Sequence, residues 1–522
     1  MGQDHHLARQ AERHLEEVGA DRESLHYDRR WSTSGELFDR VTRVAGGLRE
    51  EGVAPGDRVV AVMANSPDVG VLYSALWRAG AVATPAMFLL PPTELRHILT
   101  DAGARLVVVS PEFLGNVQVA TEGLDVRIVV DAPGDHGLPT LDDLAGADPS
   151  EVVDRDDDDL AALMYTGGTT GRSKGVVLTH ANLWHAGRAG QEATQEDGLK
   201  RTLLPLPLAH AFGLLVTAIG LHNEADQVTV LMRWFEPDGV VSLIAEHRLE
   251  QATLVPTMLK LLLTLPLEDH DLSSLRRIVC GSAPLPAETR QAFEQRVPSV
   301  TVCEGYGLTE TTGAATSDRM SRRRAGTVGQ ALPDVELRIV DATTARSAAP
   351  LLDESGDDVP AGEPGEVLVG GRAVSPGYWR APEATAETFF DDPAGRAGVR
   401  WCRTGDIGAL DADGYLTILD RKKDLIIRGG FNIYPRDVED ALHEHPAVAT
   451  AGVVGRPDDT YGEEIVAFVT PQPGAELDAD EVRAWARERL GPKSYPREVR
   501  VIEALPLTPV MKLDRKRLRT MR

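Results

Sequence analysis

The chain has 522 residues, 42% of them hydrophobic, and a formal net charge of −25. That length allows at least two domains with substantial cores, and the acidic balance excludes a protein that grips nucleic acid through a basic surface. An anionic substrate must then be drawn in by a local positive site against the global field.

In chain order, short apolar runs at 58–63, 106–109, 128–130 and 160–165 read as buried strands, with helices expected at 67–78 and 92–101. Further strands are expected at 228–231, 253–255, 278–280 and 300–303, with helices at 237–247 and 286–296. Each of these helices opens on proline, which suits the first helical turn. Strands alternating with helices imply βαβ units and largely parallel sheets. Residues 411–419 read as a hairpin with Asp413-Gly414 at its turn. The charged run 420–424 follows, then Gly429-Gly430. The last hundred residues carry their own alternation, with strands at 448–454, 465–470 and 499–502 and a helix at 481–489. The expected fold is α/β: a large N-terminal domain over 1–419, a hinge at 420–424, and a small mobile α+β lid over 425–522.

The most informative stretch is 165–176, Tyr-Thr-Gly-Gly-Thr-Thr-Gly-Arg-Ser-Lys-Gly-Val. Gly167, Gly168 and Gly171 let backbone N–H groups turn toward a ligand. Thr166, Thr169 and Thr170 add hydroxyls, and Lys174 adds a charge that can reach a phosphate oxygen. The spacing is not that of a Walker A loop. A flexible surface turn is the bland alternative.

Cys280, Cys303 and Cys402 make neither a disulfide framework nor a CxxC metal spacing. The charged start lacks the apolar core of a secretory signal. The apolar stretch 203–221 is interrupted by Pro205, Pro207, His210 and Gly213, so it suits a strand, a loop and a buried helix better than a bilayer span. No integral membrane segment and a cytoplasmic location are expected.

Several motifs, in order, resemble the adenylate-forming superfamily of acyl-CoA synthetases, adenylation domains and firefly luciferase. The 165–176 loop is similar to its phosphate loop. Residues 207–213, Pro-Leu-Ala-His-Ala-Phe-Gly, resemble the motif beside the acyl pocket. Residues 280–285 (Cys-Gly-Ser-Ala-Pro-Leu) are similar to the segment lining the adenine and acyl sites, and 304–311 (Glu-Gly-Tyr-Gly-Leu-Thr-Glu-Thr) resemble the core adenylate motif. Residues 401–406, 420–430 and 507–512 are similar to the ribose, hinge and C-terminal lysine motifs. The resemblance covers nearly the whole chain. It also implies stacked mixed and parallel sheets plus a distorted barrel in the large domain.

The resemblance implies that a carboxylic acid is joined to ATP with release of pyrophosphate, and that the acyl group then passes to a thiol. Lys512, Glu310, His210 and Thr166 are the implied catalytic set. Glu310 holds Mg²⁺, a hard cation that prefers oxygen. Thr166, Gly168, Thr169, Thr170, Gly171 and Lys174 hold the leaving pyrophosphate, and Lys512 bridges the attacking carboxylate and the α-phosphate. Gly281, Ser282, Ala283, Pro284, Glu304, Gly305, Tyr306, Gly307, Thr309 and Ile418 line the nucleotide. Asp406 accepts from the ribose hydroxyls, assisted by Arg421. His210, Phe212, Gly213, Leu214, Val216 and Met258 wall the acyl pocket together with Gly281 and Gly305. Lys423 is the hinge, and Gly429 and Gly430 admit the pantetheine arm of coenzyme A.

Read without the resemblance, His210 is a core histidine, Asp406 caps a turn, Glu310 caps a helix and Lys423 is a solvated charge. Lysine usage weighs against this: of eight lysines beside forty-seven arginines, Lys174, Lys422, Lys423 and Lys512 fall inside the motifs. Three departures bear on adenylation. Gly167 stands where the family has serine, Ser173 where it has proline, which loosens the loop, and Met511 where it has glycine. No carrier domain follows residue 522, so coenzyme A is the expected acceptor. The expected function is an ATP-dependent acyl-CoA ligase for a hydrophobic acid, fatty first and aryl second. The alternatives are an acyl-AMP ligase that loads a carrier protein, a thioesterifying half-reaction specialist, and a non-catalytic adenylate-binding protein. The sequence leaves a homodimer open.

Overall fold

The structure, a computed structural model, describes residues 4–166, 172–341, 358–507 and 513–521. The chain divides into two compact units, one of residues 1–337 with 369–403, the other of 338–368 with 404–522.

The first unit is built on two sheets. One has six strands in the order Arg127–Val130, Ala104–Val109, Arg58–Val62, Val82–Pro85, Leu160–Thr166 and Lys174–Thr179. The first five run parallel, and the last is the antiparallel partner of Leu160–Thr166. Strands sandwiched between helices are buried on both faces, which is why they read as continuous Val/Leu/Ala runs. The other sheet has nine strands among the described residues. Its centre, Thr301–Tyr306, Arg277–Cys280, Gln251–Leu254, Arg201–Leu204, Val228–Leu231 and Glu23–Tyr27, is parallel throughout. Short antiparallel strands, Thr316–Ser317 and Gln330–Ala331 at one end and Arg30–Thr33 at the other, finish it.

Helices Pro67–Arg78 and Pro237–His247 occupy the residues their patterns predict. Trp77, Tyr73 and Leu72 of the former are fully buried in the main core. The 203–221 stretch resolves into strand Arg201–Leu204, a loop and helix Ala211–Gly220. Among the described residues no helix is long and apolar enough to cross a membrane.

The second unit carries the hairpin of residues 404–410, the latter part of strand Arg400–Leu410, with Leu416–Arg421, which pair from Asp406 opposite Arg421 to Leu410 opposite Leu416. Gly414, at φ +81°, takes the turn. A second sheet orders Phe431–Ile433, Ile426–Arg428, Gly462–Pro471 and Val448–Asp458, with Glu498–Val501 parallel beside Gly462–Pro471. Helices Pro435–His443 and Ala479–Ser494 cover one face, where Val438, Leu442 and Val482 pack on Ile426, Val453 and Ile465. The latter helix is interrupted at Gly491, φ +71°, ahead of Pro492.

Candidate functional site

In the first unit the strands that flank the Gly/Thr stretch, Leu160–Thr166 and Lys174–Thr179, pair antiparallel, with Thr166 directly opposite Lys174. Gly167, Gly168, Thr169, Thr170 and Gly171 lie outside the described residues. Both flanks are firmly held. Tyr165 donates its hydroxyl to Asp101 at 2.6 Å. The Ser173 hydroxyl donates to Glu94, and the Ser173 carbonyl lies 2.9 Å from Nε2 of His97. Glu94, His97 and Asp101 share one face of helix Pro92–Ala102 at spacings of three and four, while Leu95, Ile98 and Leu99 bury the other. Ser173, expected to loosen the loop, is instead tied at both hydroxyl and carbonyl. A proline there would keep the carbonyl contact and lose the other.

Glu310 sits in the short 3₁₀ turn Thr309–Thr311. Its Oε1 accepts the hydroxyl of Tyr378 at 2.8 Å, and its carbonyl accepts the N–H of Ser375 at 2.9 Å. The Lys174 ammonium lies 5.3 Å from the centre of the Tyr378 ring. Burial and the neighbouring Glu310 carboxylate raise the Tyr378 phenol, so it stays protonated and donates. Tyr378 thus contacts both Lys174 and Glu310, the residues expected to hold phosphate and metal.

The strap that carries Tyr378 is stitched on both sides. Ser375 Oγ donates to the carbonyl of Val177 at 2.6 Å, and the N–H of Trp379 donates to Gly175 at 2.7 Å. Thr312 Oγ1 donates to the carbonyl of Ala373 at 2.6 Å, and Asn182 Nδ2 donates to the carbonyls of Arg372 and Val374. Sequence reasoning passed over this strap. Its one local signal is the turn-forming run Pro376-Gly377 followed by Tyr378 and Trp379.

Strands Arg277–Cys280 and Thr301–Tyr306 pair in parallel, with Cys280 opposite Glu304. Beyond the end of the first, Ser282, Ala283 and Pro284 are exposed, and Ser282 has φ +68°, a strained value for a side-chain-bearing residue. Gly281 and Gly305 lie alongside, both partly exposed. A Cβ on Gly307 would fall 2.4 Å from Cα of Ala314, so the turn after Tyr306 requires glycine. Tyr306 and Thr309 are half-buried, whereas Glu304 is buried, with Arg290 3.6 Å from its carboxylate.

His210 is half-buried and caps helix Ala211–Gly220, its Nδ1 accepting the N–H of Phe212 at 3.3 Å. This places the proton of the neutral ring on Nε2. Phe212, Val216 and Met258 are partly exposed against the core. Gly213 and Leu214 are buried, Leu214 at 0% exposure, so Leu214 is a core residue and presents no surface to a ligand.

In the second unit Asp406 is 2% exposed and meets Nε of Arg421 at 2.7 Å across the hairpin. Its N–H donates to Thr404 Oγ1 at 3.1 Å, and Thr404 donates in turn to the carbonyl of Val367 at 2.7 Å. A mid-strand residue paired in this way does not cap a turn. The carbonyl of Ile418 accepts Nη1 of Arg436 at 3.0 Å. Lys422 pairs with Glu366 at 2.7 Å and is structural. Lys423 is exposed, its ammonium lowered by partial desolvation and by Arg421. Gly429 and Gly430, both exposed, form the turn between Ile426–Arg428 and Phe431–Ile433 with φ +57° and +81°, a two-residue turn that favours glycine at both positions. Lys512 and Met511 lie outside the described residues.

A carboxylate with one oxygen held by a phenol keeps lone pairs for a hard cation, so Glu310 fits Mg²⁺. Lys174, which contacts the same Tyr378, fits phosphate oxygens.

The family model for AMP-binding enzymes matches residues 11–379, and that for the AMP-binding enzyme C-terminal domain matches 437–512. A feruloyl-CoA synthase of Amycolatopsis sp. is 37% identical over 480 residues, 91% of each chain. A sulfoacetate–CoA ligase of Cupriavidus necator is 36% identical, covering 93% of this chain and 92% of its own. The crystal structure of ATP-bound MatB from Rhodopseudomonas palustris superposes with a TM-score of 0.86 at 31% identity, over 98% of both chains. With Tyr378 contacting both Lys174 and Glu310 and these likenesses along its length, the chain belongs to the AMP-binding enzymes, the adenylate-forming superfamily of acyl-CoA synthetases.

Proposed function

We propose that this AMP-forming acid–thiol ligase activates a hydrophobic carboxylic acid and delivers it to coenzyme A. One carboxylate oxygen attacks the α-phosphorus of ATP, the bond to the bridging oxygen breaks, and pyrophosphate leaves. The CoA thiolate then attacks the acyl carbon and AMP leaves. The observation that carries the reading is the convergence of Lys174 and Glu310 on Tyr378, a cation and a carboxylate on one side chain. Mg²⁺ on Glu310 would neutralise phosphate charge. Thr166, Thr169, Thr170 and Lys174 would hold the pyrophosphate, Lys512 would bridge carboxylate and α-phosphate, and Asp406 with Arg421 would hold the ribose. Lys423, within 420–424, would be the pivot of a lid over 425–522, and Gly429 and Gly430 would admit pantetheine.

Phe212, Val216 and Met258 offer an apolar wall to the acid, with His210 Nε2–H as the polar group among them. Feruloyl-CoA synthase as a relative favours an aryl acid over a fatty one. AMP release measured with ATP, Mg²⁺ and CoA across fatty and aryl acids tests the reading. Acid-dependent AMP release matched by acyl-CoA supports it, and silence across the panel overturns it. Release of AMP only when a phosphopantetheinyl carrier protein replaces CoA would favour the carrier-loading ligase.

A further inference from the structure

The proposed function gives Glu310 to the metal and Lys174 to the phosphates without saying how two charges 136 residues apart in sequence keep their spacing. Both charges contact one side chain, and an ion pair between them would mask each from ATP and Mg²⁺. Lys174 is exposed at the start of its strand and free of any salt bridge among the described residues.

Tyr378 contacts both. Its hydroxyl donates to Oε1 of Glu310 at 2.8 Å, and its ring faces the Lys174 ammonium at 5.3 Å. The ring is fixed by Phe389, edge-on at 5.3 Å between centroids. Its backbone is fixed by the Val176–Tyr378 bridge, by the N–H of Tyr378 to Thr385 Oγ1 at 2.9 Å, and by the Ser375 stitches. A spacer held on both sides cannot follow either charge.

We propose that Tyr378 is a positioning residue for adenylation: its hydroxyl fixes the rotamer of Glu310 for the divalent cation, and its ring seats Lys174 apart from that carboxylate. The proposal rests on the proposed metal role of Glu310. A hydrogen bond to a metal ligand orients it, and losing such a partner commonly weakens metal affinity by about 10–100-fold. The ring seat contributes less, since an exposed cation–π contact amounts to roughly 0.5–1 kcal/mol, about a two- to fivefold change in affinity.

The test is Mn²⁺ binding to the full chain with α,β-methylene-ATP, read by electron paramagnetic resonance, beside nucleotide affinity in EDTA read by calorimetry. Tyr378→Phe keeps the ring and should weaken Mn²⁺ at least about tenfold while leaving metal-free nucleotide affinity within about twofold. Tyr378→Leu, which also removes the ring, should in addition weaken metal-free nucleotide binding two- to fivefold. In a Glu310→Gln background the Tyr378→Phe effect on Mn²⁺ should vanish, because the hydroxyl acts through that carboxylate. Wild-type Mn²⁺ affinity in Tyr378→Phe, with Glu310→Gln impaired, overturns the positioning role alone. Unchanged Mn²⁺ affinity in Glu310→Gln overturns the metal assignment and the proposal with it.

Discussion

Asp406, 2% exposed, meets the half-exposed Arg421 at 2.7 Å, so a buried carboxylate faces a guanidinium open to solvent. The hairpin register sets them opposite one another, and Thr404 holds the Asp406 N–H from below. An anchored carboxylate of this kind suits two vicinal hydroxyls better than a mobile surface acid.

Asp406→Asn keeps the shape and removes the charge. Charge-assisted hydrogen bonds contribute roughly 1.5–3 kcal/mol each, so ATP affinity should fall by about 10–100-fold. Arg421→Ala should cost less, about tenfold, because solvent partly replaces the exposed guanidinium. Calorimetric titration with ATP checks both. Equal affinities for wild type and Asp406→Asn would remove Asp406 from the nucleotide site.

Ser173 is tied to Glu94, so Ser173→Ala strands a carboxylate and leaves that flank of the proposed phosphate loop held by the His97 contact to the residue 173 carbonyl. One such hydrogen bond contributes about 1 kcal/mol, which predicts a KM for ATP raised roughly fivefold with kcat for CoA transfer unchanged. Glu94→Gln, which retains an acceptor oxygen for the hydroxyl, should lie between. Kinetics with varied ATP decide this, and an unaltered KM in Ser173→Ala would mean the brace does not reach the nucleotide.

How much of this was legible in the chain depends on where the partners lie. Strands such as Val228–Leu231 and helices such as Pro67–Arg78 are readable because burial on one or both faces imposes a local apolar pattern. The two-residue strands Thr316–Ser317 and Gln330–Ala331 carry no such pattern, since two residues impose no period. The charged motif residues could be named because each belongs to a contiguous run. Tyr378 could not, because its partner Glu310 is 68 positions away. Ser173 was misjudged for the same reason: sequence shows the missing proline, and the compensating Glu94 is 79 positions distant.

Acid should unfold the first unit through its histidines. His5 packs on Trp184 and His185, His6 on His180, and Trp184 on His222, where helices Leu7–Val18 and His180–Gln195 meet. Burial first, and then neighbouring cations or rings, pushes His14, His185 and His222 down to about 4 and His180 to about 3. The unfolded chain binds these protons near pH 6.5 and the folded one does not, so stability is full above pH 6.5 and falls as pH drops toward 4. Each histidine contributes at most on the order of 2 kcal/mol by pH 5. Asp131 and Asp318, raised to about 6 by burial, act oppositely but are fewer. Thermal unfolding should therefore show Tm falling from pH 7 to pH 5 by about 5 °C or more. His185→Asn with His222→Asn should flatten that slope, and a Tm independent of pH would refute the account.

A substitution in the Gly429-Gly430 turn tests its proposed part in the second half-reaction. Both residues have positive φ, and Gly429 donates its N–H to the carbonyl of Tyr461 at 2.8 Å, so the turn is held in register with its neighbouring loop. Alanine at Gly430 adds a Cβ where the left-handed conformation costs roughly 1–2 kcal/mol, and no atom lies within 4 Å of that Cβ to obstruct it. The substitution should thus deform the turn without disturbing a core. If the turn admits the pantetheine arm, Gly430→Ala should keep acid-dependent pyrophosphate exchange near wild type while acyl-CoA formation falls about tenfold. A parallel loss of both rates would instead place the turn in the adenylation step, and loss of neither would leave it a structural hairpin.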